Sequence, residues 1–206
     1  GNLAGFTPNY YWDFTNQDTI FNDVIYNSIM NTPGITGAGS GPVFDANGLY
    51  VNAANKRLTL PLTLGSAYTI YSEFIRDTDS GTQAYIWSYD NGSNAHLVDC
   101  KIDGAVTDFV QSTVTTASAS QAITATSSPL GLGVSTKFAT RVELNNFAFY
   151  SGGAQMGVDT SLTMPTATTL RFGVRYDNST YARGWIKRVA IFNSALSNAA
   201  MVTLTT

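Results

Sequence analysis

The chain has 206 residues, of which 44% are hydrophobic and only 12% charged, with a net charge of −3 and a pI of about 4.9. That length suits one all-β domain with its own core, and sparse charge leaves Ser, Thr, Asn and Gly to cover the surface, a neutral exterior common among extracellular and virion proteins. The scattered 11 basic residues exclude the phosphate-gathering field of a nucleic-acid binder, no apolar run approaches the roughly 18 residues of a membrane-spanning helix, and the single cysteine, Cys100, excludes an intrachain disulfide or thiolate metal cluster.

Residues 1–5 (GNLAG) show neither an initiating Met nor the charged-then-apolar pattern of a signal peptide. The expectation is a module at the C-terminal side of a longer protein. The lack of bridges in a sandwich-sized chain points to a bacterial or viral source rather than a secreted eukaryotic one.

Strand-like runs then recur at 10–14, 43–51, 57–61, 68–75, 83–89, 95–102, 138–144, 147–150, 170–175 and 185–192. Turn chemistry separates them at 77–81, 90–93, 103–104, 145–146 and 151–153. Helix is expected only as short turns, near 18–27 and at 198–204. The glycines of 34–41 (GITGAGSG) lack both the following helix and the lysine of a phosphate loop, so they read as a flexible connection. Residues 113–128, rich in Ser, Thr and Ala, read either as a long surface loop or as two edge strands.

Near the end the pattern is clearest. Leu170, Phe172 and Val174 alternate with Arg171, Gly173 and Arg175, a half-buried strand. A polar turn follows at 177–180, then a β-rich run to Phe192, and Ser197 is placed to cap the final helical turn. Many short strands with regular turns predict an all-β fold, an antiparallel β-sandwich or barrel.

The phrase from Gly184 to Ser197 (GWIKRVAIFNSALS) resembles the closing segment of the concanavalin A-like lectin and laminin-G-like β-sandwich superfamily. Residues 10–14 (YYWDF), 42–51 (PVFDANGLYV) and 67–75 (AYTIYSEFI) are similar to its opening, second and long central strands, in the right order, while the similarity fades over 102–134. The resemblance implies a single concanavalin A-like jelly roll over residues 1–206 with a short C-terminal helical turn, of the laminin-G-like or pentraxin-like type found in phage tail and capsid-surface proteins. It implies display on the virion surface and a host-surface glycan as partner. Weak single sugar sites gain from repetition, so it also implies a homo-oligomer such as a trimer, or assembly with other virion proteins, with neither nucleic acid nor membrane insertion involved.

Enzymes of the superfamily carry a Glu-x-Asp-x-x-Glu strand in which two carboxylates act as nucleophile and acid. Here the only glutamates, Glu73 and Glu143, lie outside any such motif, and the close aspartates, Asp77 with Asp79 and Asp99 with Asp103, sit at turns. His96 is the only histidine, and no serine stands in a Gly-x-Ser-x-Gly elbow. The expected role is non-catalytic sugar binding, with a purely structural domain as the alternative and a glycan-degrading enzyme as a weaker one.

Sugars need a flat apolar face to stack on and planar polar groups to bond neighbouring hydroxyls. Two segments supply that mixture: Trp87, Tyr89, Asp90, Asn91, Asn94 and His96, and Arg175, Tyr176, Asp177, Asn178 and Tyr181. They are expected to meet at one edge of the sandwich. The competing reading sends Trp87 and Trp185 to the core and the Asp and Asn residues to turns; residues 185–204 are assigned to packing. Calcium is the one metal the resemblance implies, at a sandwich edge, with Asp77 and Asp79 as leading ligands and Asp90 and Asp177 as further candidates.

Overall fold

The computed structural model describes residues 3–16, 43–52, 57–78, 81–104 and 108–206. The expected helical turn at 18–27 and the glycine-rich loop at 34–41 lie outside the described residues.

The strands are β1 (Tyr10–Asp13), β2 (Val43–Asp45), β3 (Gly48–Val51), β4 (Leu58–Pro61), β5 (Ala67–Arg76), β6 (Ala84–Asp90) and β7 (His96–Asp103). They continue as β8 (Phe109–Thr116), β9 (Ala119–Ala125), β10 (Ser135–Glu143), β11 (Phe147–Ser151), β12 (Ala154–Asp159), β13 (Thr169–Phe172) and β14 (Gly184–Phe192), and helix α1 (Asn198–Thr205) closes the chain. An eight-stranded sheet runs β12-β11-β10-β5-β14-β3-β2 with β1 also on β14, and a six-stranded sheet runs β4-β13-β6-β7-β8-β9. On the side of β14 away from β5, β3 pairs with residues 184–186 and β1 with residues 188–191, so the two share one edge end to end.

Alternation decides which side chains enter the space between the sheets. Ile70 and Phe74 of β5, Phe138 and Val142 of β10, Ile186 and Ile191 of β14 and Phe147 and Phe149 of β11 meet Val98, Cys100 and Ile102 of β7, Val110 and Val114 of β8 and Leu170 and Phe172 of β13 in one core. Three inward hydroxyls interrupt the apolar set and are paired across it. The Trp87 indole N–H donates to Ser72 Oγ at 3.1 Å, and Ser112 and Thr140 hydroxyls lie 2.9 Å apart. Such pairing removes the penalty of burying each group alone.

The outer face of the eight-stranded sheet is partly covered by α1. Met201 packs on Ala139, Ala148 and Tyr150, and Leu204 on Tyr71, Ala190 and Phe192. As the sequence indicates, Ser197 caps α1, its Oγ accepting from Ala200 N–H at 3.3 Å.

One open reading is decided and two elements differ from expectation. Residues 113–128, open between loop and edge strands, belong mostly to the hairpin β8–β9 and its following connection, turning at Ala117 and Ser118 with φ of 51° and 65°. Residues 154–159 form β12 after a Gly152–Gly153 turn with both φ positive, the geometry a tight hairpin requires. The single run expected at 43–51 splits into β2 and β3, because Asp45 Oδ1 accepts from Asn47 N–H at 2.7 Å and Gly48 takes φ 122° where its α-carbon abuts the Ile186 carbonyl.

Candidate functional site at one end of the sandwich

The two sugar-binding segments expected to meet lie at opposite ends of β6. Asp90, which leads into the 91–95 turn, pairs with Thr169, whereas Trp87 pairs with Phe172, so β13 runs away from that turn before the 173–183 loop begins. The separation is the length of a seven-residue strand, about 20 Å. Antiparallel register fixes this, and it corrects the expectation of one combined edge.

At the 91–95 end the aromatic candidates face inward. Trp87 is fully buried, and Tyr89, 2% exposed, donates its hydroxyl to Ala167 O at 2.8 Å while accepting from Leu64 N–H. A bulge between Tyr85 and Trp87 turns both Ile86 and Trp87 into the core. Asp90 is buried as well: its carboxylate takes Arg171 Nε at 3.0 Å, Ser88 Oγ at 3.0 Å and Gly92 N–H at 2.8 Å. These three expected contacts are thus structural, with no face left for a ligand. Asn91 is exposed but holds its own turn through Ser93 N–H and Oγ, and half-buried His96 accepts from Thr166 N–H at Nδ1, 3.1 Å. Asn94 is exposed at the turn.

The other segment fares differently. Beyond β13, Asp177 Oδ1 accepts from Ser179 N–H and Oγ, shaping the turn, and Asn178 takes φ 59°. Burial alone would raise the Asp177 carboxyl, but those bonds and Arg175 outweigh it and hold it below the usual range. Arg175 stacks over the Tyr176 ring at 4.6 Å, reaches the buried Tyr85 ring at 5.8 Å and pairs with Asp177 at 3.4 Å. Tyr181 and Arg183 then line an open pocket of about 410 Å³ with Thr82, Gln83, Ser179 and Thr180. Its walls are hydroxyls, an amide, a guanidinium and a phenol ring, and the Arg183 guanidinium lies 6.0 Å from the Tyr181 ring.

Beneath Arg175, on the outer face of the six-stranded sheet, Lys101 Nζ sits 5.3 Å from the Tyr85 ring and 3.4 Å from the fully buried Asp99. Burial raises the Asp99 carboxyl, with Lys101 and Thr113 offsetting only part of it.

Beside the pocket, on the outer face of the eight-stranded sheet, lies a surface that includes Trp185, a residue expected to serve packing. Register aligns Val43, Tyr50, Trp185, Ile75 and Ser135 in one row across five strands, roughly 19 Å at the usual strand spacing. None of the five is buried. The Trp185 and Tyr50 rings lie 4.7 Å apart at 37°. Each ring is held at its polar tip: Trp185 Nε1 donates to Asp45 Oδ2 at 2.8 Å, and Tyr50 OH to Asp77 Oδ2 at 2.5 Å. Asp77 N–H in turn donates to Arg183 O at 3.0 Å, which joins this row to the pocket. Alternation carries the signal for Trp185, since it shares the outward phase with Lys187 while Ile186 points into the core.

No family model matches the chain, and no curated protein matches it. Among solved structures, domain 4 of AbnA, a GH43 extracellular arabinanase from Geobacillus stearothermophilus, in complex with arabinotriose, superposes with a TM-score of 0.71 over 97% of this chain and 98% of that one, at 14% identity. The fold is the concanavalin A-like β-sandwich. The Ruminococcus gnavus IT-sialidase CBM40 bound to α2,3-sialyllactose matches with a TM-score of 0.56 at 12% identity, covering 69% of this chain and 84% of that one. The heptameric SAP-like pentraxin of Limulus polyphemus matches at 0.55 and 12%, covering 73% and 75%.

Within this concanavalin A-like sandwich the described residues among those expected to hold calcium are each engaged by protein partners. One oxygen of Asp77 is taken by Tyr50 OH, Asp79 lies outside the described residues, Asp90 is sealed by Arg171, and Asp177 is engaged by its own turn and Arg175. Among the described residues no three His, Cys, Asp or Glu side chains gather where a metal could sit.

The glutamates are equally committed. Glu73, its side chain 5% exposed, accepts from Ser135 Oγ at 2.6 Å, Lys187 Nζ at 3.0 Å and Arg188 at 2.7 Å. Its burial favours the neutral acid, yet these partners prevail and lower its pKa. Arg188 also holds Asp13 at 3.1 Å, and Glu143 accepts from Asn146 in a turn.

Proposed function

We propose that this domain is a non-catalytic carbohydrate-binding module whose ligand lies along the Trp185–Tyr50 row and into the Tyr181–Arg183 pocket. The observation that carries the reading is the pair of partly exposed aromatic rings fixed by carboxylates beside a pocket of hydroxyl, amide and guanidinium groups. Rings held in advance lose little freedom when a sugar stacks on them. Two proteins of the same fold, the arabinanase domain and the sialidase module, are described with oligosaccharides bound, which supports the ligand class. Against hydrolysis stands the state of the carboxylates: a glycosidase acid must hold its proton near neutral pH and reach its substrate, whereas Glu73 and Asp13 are both pulled down by cations and hydrogen bonds and Asp99, pushed up by burial, is sealed from solvent.

Binding to a glycan array and to extracted host-cell polysaccharide tests the proposal, with the parent compared to Trp185→Ala and Tyr181→Ala. The parent retains a glycan and both variants lose it while unfolding near the parent temperature. Failure of the parent to bind as monomer or oligomer would leave a structural domain, and released oligosaccharide would restore an enzyme. The virion-surface setting implied by the closing phrase extends the proposal, and antibodies to the domain that failed to decorate intact particles would remove it.

A further inference from the structure

A second opening lies where β10 begins and the β11–β12 turn closes, and its chemistry differs from that of the Tyr181–Arg183 pocket. The aromatic row ends at Ser135, the first residue of β10, and the chain neighbours of Ser135, Val134 and Thr136, line a cleft of about 320 Å³. Val110 from the six-stranded sheet and Phe138 from the eight-stranded one form its floor with Leu130 and Met156, so the cleft enters the sandwich between its layers. Ser151, the register partner of Phe138, shares that inward face.

The connection over residues 126–134 walls the cleft and is tied down at three points. Thr126 N–H donates to Val110 O at 2.8 Å while its Oγ1 accepts from Val110 N–H at 3.1 Å. Leu130 O accepts from the buried Arg76 Nη1 at 3.1 Å, and Leu130 N–H donates to Asp108 O at 3.0 Å. Gly133 N–H donates to Arg76 O at 2.8 Å. A wall held in this way presents its cleft before any ligand arrives.

None of the described lining residues is charged, and behind the wall Arg76 and Asp108 pair with each other at 2.8 Å. Ser151 decides the chemistry. It is only 6% exposed and lines the cleft, yet its hydroxyl bonds to no described residue. A hydroxyl so placed is costly until an acceptor reaches it. A plain hydrocarbon would leave it unpaired, and a whole sugar ring would bring more hydroxyls than an apolar floor can satisfy. A short acyl group has one carbonyl acceptor and an apolar tail, which matches one donor above that floor. A sugar lying on the row reaches Ser135, and from there a substituent passes over Val134, 55% exposed, into the cleft.

We propose that the cleft takes a short uncharged acyl group carried, as an ester or amide, by a glycan lying on the Trp185–Tyr50 row. The carrier rests on the glycan reading of that row; the preference of the cleft for a neutral acyl group does not.

Two measurements on the full chain test the two parts. In the first, ethyl butyrate is titrated into methyl-labelled protein and followed by NMR. The methyl signals of Val110, Leu130, Val134 and Met156 shift, and butyrate, the same chain with a charge, leaves them in place. Ser151→Ala weakens the ester about fivefold and Val134→Asp, on an exposed residue, roughly tenfold. Leu144→Asp, 59% exposed at the other end of β10, changes nothing, with circular dichroism reporting the fold of each variant. No shift with the ester, or an equal response to butyrate, would overturn the proposal. In the second, a glycan array carries oligosaccharides O-acylated with acetyl or butyryl groups beside their saponified counterparts. The parent retains an acylated member about fivefold better than its saponified form, and Val134→Asp abolishes the preference. Equal retention of both forms would overturn the acylated ligand while leaving a glycan module, whereas retention of neither would remove the glycan reading as well.

Discussion

Replacing Glu73 by Gln isolates the charge cluster on the outer face of the eight-stranded sheet. The substitution keeps volume and one acceptor, so Ser135 retains its bond, but Lys187 at 3.0 Å and Arg188 at 2.7 Å lose their anion. A charge-assisted bond contributes about 1.5–3 kcal/mol when partners are shielded. Both cations are 22–31% exposed and Arg188 keeps Asp13, which trims the loss to about 2 kcal/mol at pH 7. For a chain of this length that lowers Tm by roughly 4–8 °C. The pH dependence sharpens the test. The folded pKa of Glu73 lies below its ordinary 4.5, so its contribution is complete above that value and fades as pH falls through the folded pKa. Urea unfolding of parent and variant should therefore differ at pH 7 and converge at the acid end. A difference under about 0.5 kcal/mol at pH 7, or one as large in acid as at neutrality, would refute this account of the cluster.

Trp87→Ala should cost about 4 kcal/mol, since the indole is wholly buried and also leaves Ser72 without its donor; equilibrium unfolding measures it, and a loss below about 1 kcal/mol would contradict its core position. Gly184→Ala should prevent or severely impair folding, because φ is 155° and a β-carbon there would strike the Ile75 carbonyl; a soluble variant with parental Tm would show the contact to be wrong. Cys100 is buried with its thiol pushed well up by burial, so alkylation by iodoacetamide should be slow in the native protein and rapid in urea, and equal rates would rule that out.

The sandwich was readable wherever one face of a strand is wet and the other dry, as at Leu170 to Phe172, because alternation records that difference directly. It left the region of β8 and β9 open, because inward Ser112 and Thr116 look like outward residues: one bonds Thr140 across the core and the other the Thr163 carbonyl. Their hairpin also turns on Ala117 and Ser118 rather than on Asn or Gly, so no punctuation marks it. The site was half legible. Loop chemistry pointed to Arg175–Tyr181, but which loops share an end of the sandwich depends on strand register, and register is a property of pairs of distant segments. Trp87 and Trp185 show the same limit, since a bulge in β6 shifts the phase that would otherwise place the first of them.

The position of β14 bears on how the chain becomes a sandwich. The last strand of the sandwich in chain order is the one that β1, β3 and β5 all require as a neighbour. Until residues 184–192 leave the ribosome, β5 has only β10 beside it and the earliest strands have no sheet to join. Hydrophobic segments such as Leu49 to Val51 must therefore wait, unsatisfied, until most of this domain has been made. Such long-range closure folds slowly and exposes edges meanwhile, which makes the yield of this domain more sensitive to chaperone supply and to truncation within its final strand than to damage in any surface loop.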